Sequence, residues 1–469
     1  MGHALQQLAA FIVHFPRHAV SAEARAIARE SLIDTIAVSI AGCREPAVKL
    51  AAAYVSSARS QEQGGVLGWA DGAYYQPEAA ALFNAVSAHA LDYDDVTQAW
   101  RGHPGAVMWP ALYAMASGQA PDLPSGRLLV DVLDAYVLGF ELGAQIGGCL
   151  KPGHYLAGWH ATCTVGVIAA AAACARIANL DVTQTRHALG LAIAQASGVQ
   201  SNFGTSTKPF QVGFAASSAV RAVRLAALGV EASSDALTGR AGFCALYSGT
   251  LPLQLSLPTE ENGAFAVLNP GVDTKHYPSC YATHRAIEAA LALRMPVAVN
   301  GSDIVGICVE GSPGSHTPLR AGAPENADQA RFSAAFCVAS ALVDGSIRLQ
   351  SFTGASIARE AIQRLMARTL VSETPNLGPD RSARVSISLA DGTRFSETIT
   401  ALPGRGLGSA YFARLRSKVD GCLEHAGLGE YSARLWDEIV NTSLDCPVSA
   451  IGLAMFQHQH SVSGVVESK

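Results

Sequence analysis

The sequence VGVIAAAAACA, at residues 165–175, decides the fold class because it is apolar on every side of a helix. Such a helix is stable only where neighbouring helices cover it all round. It is also far shorter than the roughly 20 residues that a membrane-spanning helix needs. Further helical patterns are found at residues 79–91, 127–146, 160–178, 182–197, 209–228 and 233–237. The first half of the chain is therefore predicted to consist of helices packed on helices.

The helix predicted over residues 21–41 shows how these patterns are delimited. It places Leu32, Ile36 and Ile40 on one face, with Ser21 as the N-cap and Gly42 at the C-terminal end. A serine accepts hydrogen bonds from first-turn amides, and glycine readily ends a helix. The apolar face predicts that this helix is also buried.

The second half of the chain changes character after residues 250–275, which are rich in Pro, Gly and Asn. A strand is predicted at 304–311, helices at 281–293, 327–343 and 355–369, and a hairpin at 383–400, where residues alternate around Asp391-Gly392. We therefore predict a mainly α protein with a large all-helical domain over residues 1–265, which residues 403–455 could complete. A smaller α+β lid domain is predicted over 270–402 and a flexible tail over 456–469.

Composition restricts the functional classes. Of the 469 residues, 49% are hydrophobic and 15% are charged, against about 25% charged residues in ordinary soluble domains. So little charge predicts a large core and an apolar surface buried against a second copy in a homodimer. A net charge of −5 argues against nucleic-acid and membrane partners.

The N-terminal stretch lacks a basic region and a cleavage signal, and the ten cysteines are scattered without a CxxC pair. We therefore expect a cytoplasmic protein with reduced thiols.

Four short motifs carry residues suited to chemistry. The sequence HALDYDD (89–95) groups three carboxylates after an apolar helix, with His103 following, and can supply a general base or metal ligands. His160 precedes the most apolar helix, which favours a neutral imidazole. Lys208 stands before Pro209, the predicted first residue of a helix, and could bind an anion there. Lys275 follows the domain boundary, where clefts tend to form. Each motif also has a non-functional interpretation. The carboxylates could be solvated charges at a helix end, His160 could be a hydrogen-bonded core residue, and the two lysines could lie on the surface.

Together these residues could supply a general base, a proton donor and cationic groups that bind an anion. Removing a proton next to a carboxylate creates an enolate-like anion, which lysines, protonated histidines and helix-start amides can stabilise without a metal. No HExxH, GxSxG or strand-linked GxGxxG motif is present, and no metal-site spacing was found. The DYDD sequence also suggests a magnesium-dependent isoprenoid synthase, but such an enzyme needs a second Asp-rich motif, and the sequence has none. A non-enzymatic helical interaction protein remains an open alternative.

Five motifs in order resemble the MmgE/PrpD family: HALDYDD with HP at 103–104, GWHATCTVG, TSTKPFQVGFAASSAVRAVRLAALG, KHYPSC and ARFSAAFCVASALVDG. The resemblance covers residues 5–440. It implies a cofactor-independent lyase that abstracts a proton next to a carboxylate of a small di- or tricarboxylate, as 2-methylcitrate dehydratase does. Epimerisation of an iminodisuccinate-like amino-dicarboxylate and decarboxylation of the cis-aconitate type are the alternatives. A homodimer without a metal or organic cofactor, and with an interdomain cleft, is also implied.

By motif, the resemblance implies catalytic roles for Asp92, His103, His160, Lys208 and Lys275. The two lysines, from opposite sides of the domain boundary, are predicted to converge on the same substrate carboxylates.

The departures from the family pattern fall around the expected pocket. Val96 stands where some members have threonine, with Thr97 next to it, Gln211 replaces a histidine of many members, and Tyr281 replaces the arginine of KxYPxCR. The decarboxylases' tyrosine before the FSxxxCVA helix is absent from SHTPLRAGAPEN at 315–326. Thr97, Gln211, Tyr277 and Tyr281 are predicted to bind the substrate, whose identity these departures leave open.

Overall fold

The computed structural model describes residues 3–61, 64–118, 126–248, 254–294, 304–378, 381–402 and 408–451. Within these ranges the protein is mainly helical with small sheets, which confirms the predicted fold class. The helices of the first part are α1 (His3–His14), α2 (Ala22–Ala41), α3 (Pro46–Tyr54), α4 (Pro77–His89), α5 (Pro104–Ser117), α6 (Leu129–Leu156), α7 (Ala161–Thr164), α8 (Gly166–Ile177), α9 (Val182–Ile193), α10 (Thr207–Ala227) and α11 (Phe243–Ser248).

The apolar sequence at residues 165–175 lies at the centre of this helical part. Its residues are buried in and just before α8, which packs against α5, α6, α9 and α10. At the start of α2, Ser21 Oγ accepts the Ala24 amide at 3.1 Å, and Gly42 follows the last helical residue. Both predictions are confirmed. None of the described helices is long and apolar enough to cross a bilayer.

The second part is built on a four-stranded sheet in the order β6–β5–β7–β8. Its strands are β5 (Ile304–Gly311), β6 (Thr369–Glu373), β7 (Ala383–Leu389) and β8 (Arg394–Ile399). The β5–β6 pair is parallel, whereas β7 pairs antiparallel with both neighbours. The predicted strand at 304–311 and the predicted hairpin are confirmed, with Gly392 at a φ of 86° in the turn. Its helices are α12 (His284–Arg294), α13 (Ala327–Ala330), α14 (Ala334–Asp344), α15 (Gly354–Ile357) and α16 (Glu360–Ala367), and the chain continues into α17 (Ser409–Ala426) and α18 (Ser432–Trp436).

Some predicted helices are wrong in detail. Residues 233–237 form turns rather than a helix, because so short a segment cannot offset the cost of helix nucleation. The helix predicted at 327–343 is interrupted where Ser333 caps α14 by accepting the Phe336 amide at 3.2 Å. The helix predicted at 355–369 breaks after α15 and ends at Ala367, since the next residues form β6 beside the distant β5. Helices α1, α3, α5 and α11 were not predicted.

Two separate hydrophobic cores underlie the two parts. The larger takes its residues mainly from 5–267 and 411–451, and the smaller from 286–387. Helix α17 packs on α2, which supports the idea that the C-terminal helices complete the helical domain. The domain bounds remain a prediction, and the predicted tail at 456–469 lies outside the described residues. All ten cysteines are free thiols.

One short pairing joins the parts close to the motifs singled out above. Strand β3 (Val96–Thr97) pairs antiparallel with β4 (Val272–Asp273). This pairing brings the residues just before Lys275 beside the loop that follows Asp92. A further two-residue ladder, β1 (Val66–Leu67) with β2 (Tyr74–Tyr75), lies within the helical part.

Candidate active site

A cavity of about 310 Å³ lies between the two parts. This volume is at the lower end of the range of about 300–1,000 Å³ that is typical of small-molecule sites. The polar and charged side chains that line it from the helical part are those of Asp92, Thr97, Arg101, His103, Tyr155, His160, Thr162 and Lys208. Those from the second part include Cys280, Tyr281, Arg285, Ser315, His316, Arg381 and Ser382. Most of the predicted site residues therefore meet in one place.

Asp92 is held by two lysines. It follows the end of α4 and has a φ of 49°. Its Oδ1 accepts from Lys208 Nζ at 2.7 Å and lies 3.1 Å from Lys275 Nζ, which also donates to the Asp92 carbonyl at 2.6 Å. Burial by itself would raise the pKa of Asp92, but the charges of Lys208 and Lys275 outweigh it and hold this pKa far below its usual range. Asp92 is therefore a carboxylate at neutral pH.

The two lysines differ in position. Lys208 lies in the first turn of α10, which begins at Thr207 rather than at Pro209 as predicted. Its ammonium lines the cavity and lies over the rings of Phe203 and Phe332, at 5.3 and 5.2 Å, in favourable cation–π contacts. Lys275 is fully buried behind Asp92 and is not among the lining residues. The lysines thus converge, but on Asp92, and Lys208 is the one that lines the cavity.

His89, at the end of α4, was not predicted as a site residue. Its Nδ1 lies 2.7 Å from Asp94 Oδ2, and its Nε2 lies 2.6 Å from Lys208 Nζ. Burial lowers the pKa of His89 to about 4, and Lys208 acts in the same direction, so the ring is neutral. It therefore donates from Nδ1 to Asp94 and accepts from the lysine at Nε2. Its place in HALDYDD, three residues before Asp92, was the signal for it.

His103 is oriented by the carboxylate loop. Its Nδ1 lies 2.9 Å from the Asp95 carbonyl and 3.2 Å from Asp94 Oδ2, and both are acceptors. The Nδ1 must carry hydrogen, which leaves Nε2, 4.0 Å from Asp92 Oδ1, as the nitrogen available for proton transfer. Asp95 also accepts the Gly105 amide at 2.8 Å, which fixes the start of α5 just after His103.

His160 is oriented by the side chain of Gln211. Its Nδ1 lies 2.8 Å from Gln211 Oε1, and Gln211 Nε2 donates to the Val199 carbonyl at 3.2 Å, which sets the orientation of the amide. His160 Nε2 is buried and has no hydrogen-bond partner among the described residues. Burial, followed by the charge of Lys208, holds the pKa of His160 well below its usual value. His160 is thus a neutral imidazole with a bare Nε2.

The predicted substrate-binding residues divide into two groups. Thr97 and Tyr281 line the cavity, although their hydroxyls donate to the Gly271 carbonyl at 2.8 Å and to Asp273 at 3.0 Å. Gln211 is not a lining residue, because its amide is used by His160 and Val199. Tyr277 is directed elsewhere, since its hydroxyl donates to Glu288 at 2.8 Å and its ring packs against the smaller core.

Three arginines and one histidine of the cavity were missed by the sequence analysis. They are Arg101, Arg285, Arg381 and His316. Each stands alone in its own segment of the sequence, and only the tertiary fold brings them to the same cavity.

Donor atoms of His89, Asp92, Asp94 and His103 lie within 4.8 Å of one another, which is close enough to surround a metal ion. The ammonium of Lys208 lies 2.6 Å from His89 Nε2 and 2.7 Å from Asp92 Oδ1. Two of the four residues therefore already contact a cation of the protein itself. That a metal is not needed stays a prediction.

Comparison with known proteins agrees with the motifs. Residues 6–256 match the family model of the MmgE/PrpD N-terminal domain, and residues 277–434 match that of the MmgE/PrpD C-terminal domain. The chain is 29% identical to cis-aconitate decarboxylase of Mus musculus over 332 residues, which are 68% of this chain and 66% of that protein. It is 27% identical to the cis-aconitate decarboxylase of Homo sapiens over 379 residues, with 79% and 77% covered. Cis-aconitate decarboxylase of Aspergillus terreus is 28% identical over 402 residues, with 79% of each chain covered.

Proposed function

The chain belongs to the MmgE/PrpD family, and we propose that its cavity is the active site of a lyase acting on a small di- or tricarboxylate. The reaction we propose is proton transfer at the carbon next to a carboxylate, without a metal or organic cofactor. The relatives named above are decarboxylases, which are lyases, and this supports the proposed reaction class.

The observation that supports this most is the state of the two histidines in the cavity. His103 and His160 each have Nδ1 engaged by an acceptor, which leaves Nε2 as the reactive nitrogen. Lys208, between Asp92 and His89, supplies a fixed cation beside the His89 ring. The centre of that ring lies 4.7 Å from that of His103 and 5.8 Å from that of His160. A pair of bases next to a buried ammonium can remove a proton and stabilise the anion that results.

In dehydration, the C–H bond next to a carboxylate breaks and its proton passes to Nε2 of one histidine. The electron pair forms the C=C bond as the C–O bond of the neighbouring hydroxyl breaks. The hydroxide leaves as water with a proton from the other histidine, which has to be protonated at that stage. The charge that develops on the carboxylate in between is stabilised by Lys208.

A second candidate, decarboxylation, is favoured by the names of the curated relatives. Here the C–C bond to one carboxylate breaks, CO₂ leaves, and a histidine delivers a proton to the carbon that keeps the electron pair. The tyrosine expected of the decarboxylases is absent from residues 315–326, and His316 of this stretch lines the cavity instead. Epimerisation of an amino-dicarboxylate would use the same two histidines on opposite faces of one carbon.

The homodimer, the cytoplasmic location and the absence of nucleic-acid and membrane partners are parts of the same proposal. The low charge content of 15% supports a buried apolar contact between copies. Against a purely structural helical protein, Asp92, His160, Lys208 and Lys275 are all buried around one cavity. Burying so many ionisable groups is costly, and such clusters are typical of functional sites.

The test is to incubate the protein in D₂O with 2-methylcitrate, citrate, cis-aconitate and iminodisuccinate and to follow each by NMR. New C–D signals, water loss or CO₂ release distinguish the three reactions. We expect His103→Ala and His160→Ala to lower the rate about 10²–10⁴-fold. His18→Ala is the matched control, since its side chain is 78% exposed. The proposal fails if no compound reacts or exchanges, or if both cavity variants keep the native rate.

A further inference from the structure

The carboxylate loop, residues 90–95, joins α4 to β3 and includes Asp92. Asp92 has a φ of 49°, in the left-handed region that is unfavourable for residues other than glycine. A segment keeps such a conformation only where the surrounding structure holds the chain in place. Lys275 Nζ donates to the Asp92 carbonyl at 2.6 Å. Lys418 Nζ donates to the next carbonyl, that of Tyr93, also at 2.6 Å. Two lysines thus hold successive carbonyls of this loop.

Lys418 is a buried lysine for which the proposed proton transfer gives no role. It belongs to α17, 325 positions after Tyr93, and 7% of its surface is exposed. Its Nζ lies 2.6 Å from Asp34 Oδ1 on α2 and 4.1 Å from the centre of the Tyr93 ring. The ion pair with Asp34 offsets the cost of burying an ammonium. The bond to the Tyr93 carbonyl and the cation–π contact with its ring connect this ammonium to the carboxylate loop.

The side chain of Tyr93 extends this connection to Lys275. Its hydroxyl donates to the His276 carbonyl at 3.2 Å, and His276 directly follows Lys275. The Tyr93 ring thus contacts Lys418 at its face and the segment of Lys275 at its hydroxyl end. Because one tyrosine links the two lysines that bind the loop, a displacement of Tyr93 would affect both contacts.

The main chain of Tyr93 joins two carboxylates with different partners. Before it, Asp92 accepts from the ammonium that lines the cavity, at 2.7 Å. After it, Asp94 Oδ2 lies 3.2 Å from His103 Nδ1, which also lies 2.9 Å from the Asp95 carbonyl. The position of the Tyr93 peptide group therefore decides where the acceptors of His103 lie.

Lys418 acts from outside the cavity in which the histidines lie. Together with Tyr93 and Lys275 it lines a second cavity, of about 470 Å³. None of these three is among the described residues that line the cavity of His103 and His160. A substrate held by those histidines would therefore not contact Lys418, and any effect of this lysine on the reaction has to pass through the loop.

We propose that Lys418 is a positioning residue for His103. By binding the Tyr93 carbonyl it keeps the acceptors of Nδ1 in place, so the ring holds its proton on Nδ1 and presents a bare Nε2 to the substrate. This rests on the function proposed above, in which His103 transfers a proton. A displacement of about 1 Å can cost about 100-fold in rate. If Lys418 served only to join α17 to α2 through Asp34, its loss would affect stability alone.

The test separates these two roles with three variants of the full-length protein. Asp34→Asn removes the ion pair and leaves the bond from Lys418 to the Tyr93 carbonyl. The double variant Lys418→Met with Asp34→Asn removes both and leaves no unpaired buried charge, so it should fold. Lys49→Met, which replaces an exposed lysine on α3, is the control. Circular dichroism and unfolding by urea check the fold of each.

The first measurement is the tautomer of His103, by ¹⁵N NMR of the protein with labelled histidines at about pH 8, where imidazoles of ordinary pKa are neutral. The signals of His103 are assigned by their loss in His103→Gln. We expect Nδ1–H in the native protein, in Asp34→Asn and in Lys49→Met, and a mixture of the two tautomers in the double variant. The second measurement is kcat on the substrate that the NMR panel identifies. It should fall about 10- to 100-fold in the double variant alone, while KM changes by less than about threefold.

A double variant with the native tautomer, or with the native kcat on an identified substrate, would overturn the proposal. Asp34→Asn with the same losses would also overturn it, because the ion pair would then account for them. The tautomer is measured without turnover. If no compound reacts, the proposed function fails, and the tautomer of the double variant still decides the role of Lys418.

Discussion

Replacement of Gln211 by glutamate should move the pH dependence of catalysis. Gln211 Oε1 lies 2.8 Å from His160 Nδ1, so Gln211→Glu puts a carboxylate at almost the same point on a side chain of the same length. In the native protein, burial and the charge of Lys208 hold the pKa of His160 well below its ordinary value. The ring is therefore neutral throughout the neutral pH range, and its protonation does not limit activity there.

The size of the effect follows from the new charge. A carboxylate in contact with a histidine raises its pKa by about 1–3 units. His160 has to be neutral to accept a proton at Nε2, so the acid limb of kcat/KM should move to higher pH by the same amount. The replacement also removes the hydrogen bond from Gln211 Nε2 to the Val199 carbonyl at 3.2 Å. Loss of this bond should lower the free energy of unfolding by about 1–3 kcal/mol.

The measurement is kcat/KM across about pH 5–9, with the substrate identified by the NMR panel and with unfolding by urea as the check on folding. Gln211→Met is the matched control, because it keeps the length, removes the acceptor and adds no charge. It should lower the rate without an upward shift of the acid limb. A shift of the alkaline limb alone would make His160 the acid. A folded Gln211→Glu protein with both limbs unchanged would refute a role for this pair in proton transfer.

Three other predictions concern the charges around the cavity. Lys275→Met should lower the free energy of unfolding by about 3 kcal/mol because Asp92 loses a buried counter-charge. In urea titrations, adding Asp92→Asn to Lys275→Met should recover most of that loss. If the two replacements instead lowered the free energy of unfolding additively, the coupling between the two residues would be contradicted. Burial and Asp34 raise the pKa of Asp95 to about 8, so the folded protein holds a proton that the unfolded chain releases above about pH 4. Stability of the native protein relative to Asp95→Asn should thus fall by about 1.4 kcal/mol per pH unit between about pH 5 and 7, and a pH-independent difference in urea titrations would count against it. Activity should survive dialysis against EDTA; a loss that one divalent cation restores would revive the metal interpretation.

Local signals in the sequence were enough to predict much of this protein. The all-round apolar sequence at 165–175 could be stable only inside a helical core, and Asp391-Gly392 has few alternatives to a hairpin turn. Asp92, His160 and Lys208 were found because each stands in a short motif at a helix end. Such signals depend on a few neighbouring residues, and they can be recognised without knowledge of the tertiary fold.

Other features depend on partners far away in the chain. Strand β6 was not predicted, and its first residue, Thr369, was placed in a helix, because its parallel partner, β5, lies some 60 positions earlier. Lys275 and Tyr277 belong to one motif, yet the first contacts Asp92 and the second contacts Glu288. Gln211 occupies a position where substrate contact was expected, but its amide is used by His160. Motif and spacing indicate that such residues are near a site, whereas the direction of each side chain is decided by packing.

The residues proposed for proton transfer and those on the other wall of the cavity come from different parts of the chain. The groups proposed for proton transfer, His103, His160 and Lys208, all come from the helical part, as does Asp92. Arg285 and Arg381 come from the second part. Two of the departures from the family pattern, Tyr281 and the stretch at 315–326, also belong to the second part. We propose that changes there alter which carboxylates are bound without moving the histidines, so that one proton-transfer apparatus serves different substrates as the second part of the cavity varies.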